Sequence, residues 1–184
     1  RPNRSVENAI AQSYKMMQMY KLHYVVDVDI KGFFDNVNHG KLLKQLWAIG
    51  IRDKRVIAMI SKMLKAEVVM PDKSIVKSEK GIPQGGILSP LLANVVLNEL
   101  DWWVASQWER FPARNFVEKP RSDGKGTNLS SKYRMLQRST LKPCYIIRYA
   151  DDFKIFCLNY EDARKIFFAT KDFLKKRLKL KISE

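Results

Sequence analysis

Cysteine is almost missing from these 184 residues, with only Cys144 and Cys157 present. Two thiols cannot staple a chain of this size, which excludes a disulfide scaffold and leads us to expect a reducing, cytosolic compartment. Histidine is equally scarce: neither His23 nor His39 has a cysteine or second histidine at ligand spacing, which excludes a zinc site built from them. Long apolar runs are absent too. The best candidate, Ile87 to Val104, is broken by Ser89, Pro90, Asn94, Asn98, Glu99 and Asp101, so no bilayer-spanning helix is expected. No charged segment followed by an apolar one opens the chain, and no internal repeat is found. Acids are the rarer charge, nineteen Asp and Glu against thirty-four Lys and Arg, which leaves +15.

That excess sits on a chain that is 46% hydrophobic and 11% aromatic, a composition that excludes a disordered basic tail. One packed domain, or one with an appendage, is expected at this length. A basic packed domain meets a polyanion through counterion release, so nucleic acid leads and an acidic membrane surface trails. The ends, Arg1-Pro2-Asn3-Arg4 and Lys181-Ile182-Ser183-Glu184, read as those of a piece of something longer.

Ser5 is a candidate N-cap, with Glu7 in the first turn and Val6, Ile10 and Met17 at helical spacing as far as about Tyr20. His23 to Ile30 alternates Val26, Val28 and Ile30 with Val25, Asp27 and Asp29, the period of a strand whose two carboxylates share a face. After a turn at Gly32, helical patterns run from His39 to Trp47 and from Asp53 to Lys65. A hairpin is expected from Glu67 to Met70 and Ile75 to Glu79, turned through Pro71-Asp72-Lys73. The segment Gly81 to Gly86 cannot be regular structure, and Ser89 as N-cap with Pro90 behind it should open a long helix with Ala93, Leu97, Leu100 and Val104 buried. Trp102, Trp103 and Trp108 on that helix suit packing better than base stacking.

From about 110 to 142 the character shifts to nine Lys and Arg and few large aliphatics, an insertion expected to be mobile in part. Arg121, Lys125, Lys132, Arg134, Arg138 and Lys142, with Lys119, are its candidates for RNA contact, because no stripe suited to burial accompanies them. Two β-rich runs, Cys144 to Tyr149 and Phe153 to Leu158, flank Ala150-Asp151-Asp152, with the two cysteines opposite each other as reduced packing thiols. A helix from about Glu161 to Arg177 buries Ala163, Phe167, Leu174 and Leu178. Its Arg164, Lys165, Lys171, Lys175, Lys176 and Arg177 suit either a solvated face or RNA. Lys179 to Ser183 resembles an edge strand.

Adjacent carboxylates in a turn repel one another, and Asp151-Asp152 therefore calls for a cation. Pairing Tyr149 with Asp152 makes Ala150 and Asp151 the loop residues. Asp29, at the end of the earlier strand, is their natural neighbour. Three carboxylates converging on divalent ions, with substrate phosphate in the remaining positions, is the two-metal arrangement for phosphoryl transfer. Asp also favours turns for local hydrogen-bonding reasons, which is the plainer reading of the dipeptide.

Three blocks, Val26-Asp27-Val28-Asp29-Ile30-Lys31-Gly32-Phe33-Phe34-Asp35-Asn36-Val37-Asn38-His39, then Gly81-Ile82-Pro83-Gln84-Gly85-Gly86-Ile87-Leu88-Ser89-Pro90-Leu91-Leu92-Ala93-Asn94, then Tyr149-Ala150-Asp151-Asp152, resemble the reverse transcriptases of group II introns, also called maturases. Arg1 to Ser5 resembles the family's arginine- and proline-containing block, and the 110–142 region its insertion before the Asp-Asp hairpin. The resemblance implies an α+β fold, a right-hand polymerase palm with part of the fingers, in which an antiparallel sheet is backed by helices. It implies RNA-directed DNA polymerisation with two Mg2+ ions, Mn2+ substituting. Asp29, Asp151 and Asp152 match the catalytic metal ligands, with Ile30 beside them; Gln84, Gly85 and Ala150 match the nucleotide pocket. Asp27 reads as support rather than ligand.

Phe34 falls five residues after Asp29, where RNA-dependent RNA polymerases resemble one another in placing an Asp that accepts the ribose 2'-OH. An aromatic ring there should block that hydroxyl and select dNTPs; its plainer reading is a core aromatic. The partners implied are an RNA template, a DNA primer, dNTP and the parent intron RNA, in a bacterial cytoplasm ahead of an organelle. The rest of the fingers should precede Arg1 and the thumb should follow Glu184, so exposed edges would favour self-association, for example as a homodimer. The alternative function is an RNA-binding splicing cofactor in which polymerisation is secondary.

Overall fold

The computed structural model describes residues 5–69, 73, 75–77, 79–113, 116–124 and 126–183. The expected turn residues Met70, Pro71 and Asp72, the block Arg1 to Arg4, Arg114 and the candidate RNA contact Lys125 lie outside the described residues.

Helix α1 (Val6–Gln18) starts where its cap allows, the Ser5 hydroxyl accepting from the Asn8 amide. Strand β1 (Tyr24–Val28) follows, then a short helix α2 (Phe33–Asn36) entered through Gly32 at φ 50°. Helices α3 (His39–Ala48) and α4 (Lys54–Leu64) are capped by Asn38 and Asp53. Strands β2 (Glu67–Val69) and β3 (Ile75–Lys77) pair as the expected hairpin. Helix α5 (Ser89–Gln107) and α6 (Ser130–Gln137) come next, then β4 (Cys144–Tyr149), β5 (Asp152–Cys157) and α7 (Tyr160–Phe173).

The larger sheet is antiparallel with order β1-β5-β4, so the strand after the Asp-Asp turn is central. One face, carrying Val26 and Val28 of β1 and Phe153, Ile155 and Cys157 of β5, packs under α5 and α7. Leu97, Leu100 and Val104 of α5 are fully buried there, each worth about 1.5–3 kcal/mol in transfer terms. On the other face α1 covers only the far end, where Met16, Leu22 and Phe156 form a second cluster and Tyr20 stacks on Tyr145 at 5.8 Å. The end of this face nearest the turn stays open. Cys144 and Cys157 are register partners and free thiols, and burial pushes both up to about 12.

Two expectations need correction, and the expected last helix and edge segment gain a detail. Ser89 is the first helical residue rather than the cap; its hydroxyl donates to the Pro83 carbonyl, closing the glycine loop instead of the helix end. The 110–142 insertion has a buried stripe after all: α6 sets Leu136 into the core, and its Tyr133 stacks on the buried Trp108. The last helix widens into a π turn at Leu174–Leu178 and stops at Lys179, which takes a left-handed φ of 62°. That stop buries Leu180 and sends residues 181–183 back beside β1. Of the tryptophans, Trp103 stacks on Phe173, while Trp102 is exposed beneath the Arg110 guanidinium.

Candidate active site at the open end of the sheet

Alternation along β1 turns Val26, Val28 and Ile30 inward and leaves Asp27 and Asp29 on the open face. The last ladder pair, Val28 with Phe153, sets the next residues, Asp29 and Asp152, side by side. Tyr149 pairs with Asp152, so Ala150 and Asp151 form the two-residue turn that the sequence predicts. Asp29 is also bound from its other side. Its carbonyl accepts from the Ser183 amide at 2.9 Å and its Oδ2 from the Ser183 hydroxyl at 2.7 Å, with an Ile30–Ile182 bridge between. Ile30 is 4% exposed with its side chain in the core, which leaves only its carbonyl oxygen as a donor.

Asp27 stands opposite Lys154, whose Nζ lies 2.5 Å from Asp27 Oδ2 and 4.0 Å from Asp152 Oδ1. The bond to Asp27, with Asp152 adding to it against slight burial, raises the Lys154 ammonium above its ordinary value. Among the described residues no three His, Cys, Asp or Glu side chains are gathered closely enough to grip one ion. The backbone aligns Asp29, Asp151 and Asp152, while Ser183 and Lys154 hold two of the surrounding carboxylates.

The glycine loop is stitched to α2. The Ile82 amide donates to the Phe34 carbonyl at 2.6 Å, and the Gly81 amide to Val37 at 2.7 Å. Gly81, at φ 99°, could not carry a Cβ without meeting the Phe34 carbonyl oxygen at 3.0 Å. Gln84 Nε2 reaches Asp35 Oδ1 at 3.4 Å, and Gly85 holds φ 77° in open space. Phe34 is half-buried with its ring edge-on to Phe33 at 5.3 Å. The loop with Gln84, the backbone that carries the Phe34 ring and the carboxylate of Asp35 thus belong to one hydrogen-bonded unit that begins five residues after Asp29.

Ser183, with its two bonds to Asp29, is not foreseen from the sequence, and neither are the partners of His39 and Arg148. His39 does begin a helix, as expected, but its Nε2 also bonds the Gly81 carbonyl at 2.7 Å. Arg148, on the inward-facing phase of β4, is paired with Asp101 of α5. The signal for Arg148 is parity: Cys144, Ile146 and Arg148 alternate into the core, and a buried guanidinium demands partners.

The candidate RNA contacts are dispersed. Arg121 pairs with Asp123 at 2.9 Å, both exposed. Lys132 donates to the Glu109 carbonyl at 2.9 Å and is half-buried. Arg134, Arg138 and Lys142 are exposed around α6, as are Arg164, Lys165, Lys171, Lys175, Lys176 and Arg177 around the last helix. Of the latter, Lys176 pairs with Asp172 and Arg177 with Glu99. No helix among the described residues is long and apolar enough to cross a membrane.

An antiparallel sheet backed by helices, with aspartates at a two-residue turn on its open face, is the architecture of a polymerase palm. Residues 1–184 match the reverse transcriptase (RNA-dependent DNA polymerase) family, and the chain belongs to it. A putative COX1/OXI3 intron 2 protein of Saccharomyces cerevisiae is 28% identical over 205 residues, covering all of this chain and 24% of that protein. The group II intron-encoded protein LtrA of Lactococcus lactis is 32% identical over 213 residues, covering all of this chain and 35% of LtrA. The chain thus spans between a quarter and about a third of the length of these relatives. The solved structure of apo telomerase from Candida tropicalis, truncated from its C-terminal domain, shares the fold with a TM-score of 0.56 at 14% identity, over all of this chain and 34% of that one.

Proposed function

We propose that the protein containing this chain is an RNA-directed DNA polymerase of a group II intron, and that the open end of the sheet is where a dNTP is joined to a primer 3'-OH. The alignment of Asp29 with the Asp151-Asp152 turn, beside a glycine loop bonded to the Phe34 turn, carries this reading. The donors there suit a hard divalent cation: carboxylate oxygens on an open face, in a field that already draws in the Lys154 ammonium. Asp29, Asp151 and Asp152, with the Ile30 carbonyl, would hold Mg2+, or Mn2+ in its place; bound there, the ions supply charge neutralisation at the reacting phosphate.

The remaining work is positioning. The primer oxygen bonds to the α-phosphorus as the bond to pyrophosphate breaks, so the chain needs no covalent nucleophile. Gln84 and Gly85 line the incoming nucleotide with Ala150, and Phe34, held at its backbone by Ile82, bars a ribose 2'-OH. An RNA template and DNA primer cross the open face, and the exposed cations around α6 meet the parent intron RNA. Those cations also support the second reading, an intron-binding splicing cofactor.

The test is Mg2+-dependent extension of a DNA primer on an RNA template by the full-length protein, with dNTPs or rNTPs. Extension with dNTPs that is lost in Asp151→Ala/Asp152→Ala supports the polymerase. No extension, with salt-sensitive binding to structured RNA retained, favours the splicing cofactor. Unchanged discrimination against rNTPs in Phe34→Val removes the gate.

A further inference from the structure

Arg148 is the last inward-facing residue before the catalytic turn. Its side chain is 7% exposed, and a guanidinium stays charged at any working pH, so it is held there only by its partners. Nε and one terminal nitrogen donate to the two carboxylate oxygens of Asp101, each at 2.8 Å, the two-pronged geometry that a planar fork allows. The other terminal nitrogen donates to Asn94 Oδ1 at 3.2 Å and to the carbonyl oxygen of Ala150. Asn94 and Asp101 lie seven residues apart, two turns along one face of α5.

The carbonyl so held belongs to a strained residue. Ala150 takes φ 54°, a left-handed conformation that is strained for a residue with a Cβ and persists only where its surroundings enforce it. Arg148 is the side chain that binds that peptide. The same helix also ends at the glycine loop, since the Ser89 amide donates to Gly86 at 3.0 Å and its hydroxyl to Pro83. Helix α5 therefore joins the nucleotide loop to the Asp-Asp turn through one buried ion pair.

We propose that Arg148, clamped by Asp101, is a positioning residue that holds Ala150 in its left-handed conformation and so places Asp151 and Asp152 for the metal-dependent step. The catalytic half of this statement rests on the polymerase reading above; the structural half does not. Lysine is a poor replacement, since a single ammonium cannot bond two carboxylate oxygens, an amide and a peptide carbonyl in one plane.

Two measurements on the full-length protein decide it, using Arg148→Gln, Arg148→Lys, Asp101→Asn and the Arg148→Gln/Asp101→Asn pair. Amide exchange over residues 145–156 should quicken about tenfold in Arg148→Gln and by less in Asp101→Asn, with α3 and α4 unchanged. Unaltered exchange of the turn in Asp101→Asn, the milder change and the deciding one if Arg148→Gln does not fold, overturns the clamp. In single-nucleotide incorporation, Arg148→Gln should raise the half-saturating Mg2+ about fivefold or more and lower kcat, while the KM for dNTP at saturating Mg2+ moves less than about twofold. Arg148→Lys should recover little of this.

A raised KM with unchanged Mg2+ dependence would overturn the positioning role. So would full recovery in the double variant, because relief of an unpaired Asp101 would then account for the whole effect. Should the unaltered protein incorporate no nucleotide, the polymerase reading falls, and the exchange measurement still decides the clamp.

Discussion

His39 Nε2 lies 2.7 Å from the carbonyl oxygen of Gly81, which ties the first residue of α3 to the first residue of the glycine loop across 42 positions of sequence. A carbonyl only accepts, so Nε2 carries a proton and donates it, while Nδ1 is buried without a hydrogen-bond partner among the described residues. The side chain thus acts as a single donor aimed at one backbone atom. His39→Leu should cost about 1–3 kcal/mol in urea unfolding, because the Gly81 carbonyl is left buried and unpaired. Glutamine places an amide N–H near the Nε2 position and asparagine near Nδ1, so His39→Gln should retain more stability than His39→Asn. The reverse order would refute the Nε2 bond.

Gly81 and Gly50 make a controlled pair. Both have positive φ, 99° and 108°, but a Cβ at Gly50 meets nothing within 4 Å, while one at Gly81 meets the Phe34 and Asp35 carbonyl oxygens at 3.0 and 3.1 Å. Gly50→Ala should lose about 1 kcal/mol from conformation alone, and Gly81→Ala about 2–3 kcal/mol, because backbone atoms cannot move aside cheaply. Thermal unfolding read by circular dichroism measures both. Equal losses would mean that the loop is free to swing away from the Phe34 turn.

The strands around the candidate site were legible because their signal is local. Alternation from Val25 to Ile30 and the two residues between Tyr149 and Asp152 set both faces and the turn, and the structure follows them pair for pair. The order of strands was less so: that β5 is central depends on which strand β1 meets, a contact across more than a hundred residues. Arg148, His39 and Ser183 were missed for the same reason, since each acts through a partner far away in the chain. Helix α6 was missed differently. Its apolar content is little more than Tyr133 and Leu136 among charges, too sparse to stand out until Trp108 is there to receive it. Ser89 sits one position inside the helix it was expected to cap because the Pro83 carbonyl claims its hydroxyl.

Two glutamates on α5 and just beyond it should respond to pH in opposite directions. Burial works to raise Glu99, but bonds from Lys41, Arg177 and Gln45 outweigh it and hold the carboxyl below its ordinary 4.5. A depressed folded-state value adds stability that is present above the unfolded value and is lost as pH falls through the folded one. Burial raises Glu109 above 4.5, against the pull of Arg110 and Lys132. Its ionisation therefore lowers stability as pH climbs from the unfolded value through the folded one. Glu99→Gln should destabilise at pH 7 and flatten the acid limb below about pH 4.5. Glu109→Gln should stabilise at pH 7, with a gain that vanishes in acid. Urea midpoints between pH 3 and 7, as approximate limits, give both curves; parallel curves for the two variants would refute the assignment.

The insertion offers a way to separate cations that hold the fold from cations that hold RNA. Lys132 is half-buried with its ammonium on the Glu109 carbonyl at 2.9 Å, so neutralising it removes a hydrogen bond inside the protein. Arg134 and Arg138 sit one helical turn apart at the end of α6, both exposed. If these two meet phosphates, Arg134→Gln/Arg138→Gln should lower the slope of log K against log salt by about 1–2 for structured RNA, since each phosphate contact contributes roughly 0.7–0.9. Lys132→Gln should leave that slope alone and lower the unfolding temperature instead. The contrast matters because a drop in affinity by itself could come from a loosened α6, whereas a changed salt slope counts released ions. An unchanged slope in the double variant would move the RNA-binding surface elsewhere, with the exposed Lys165 and Lys175 of the last helix next in line.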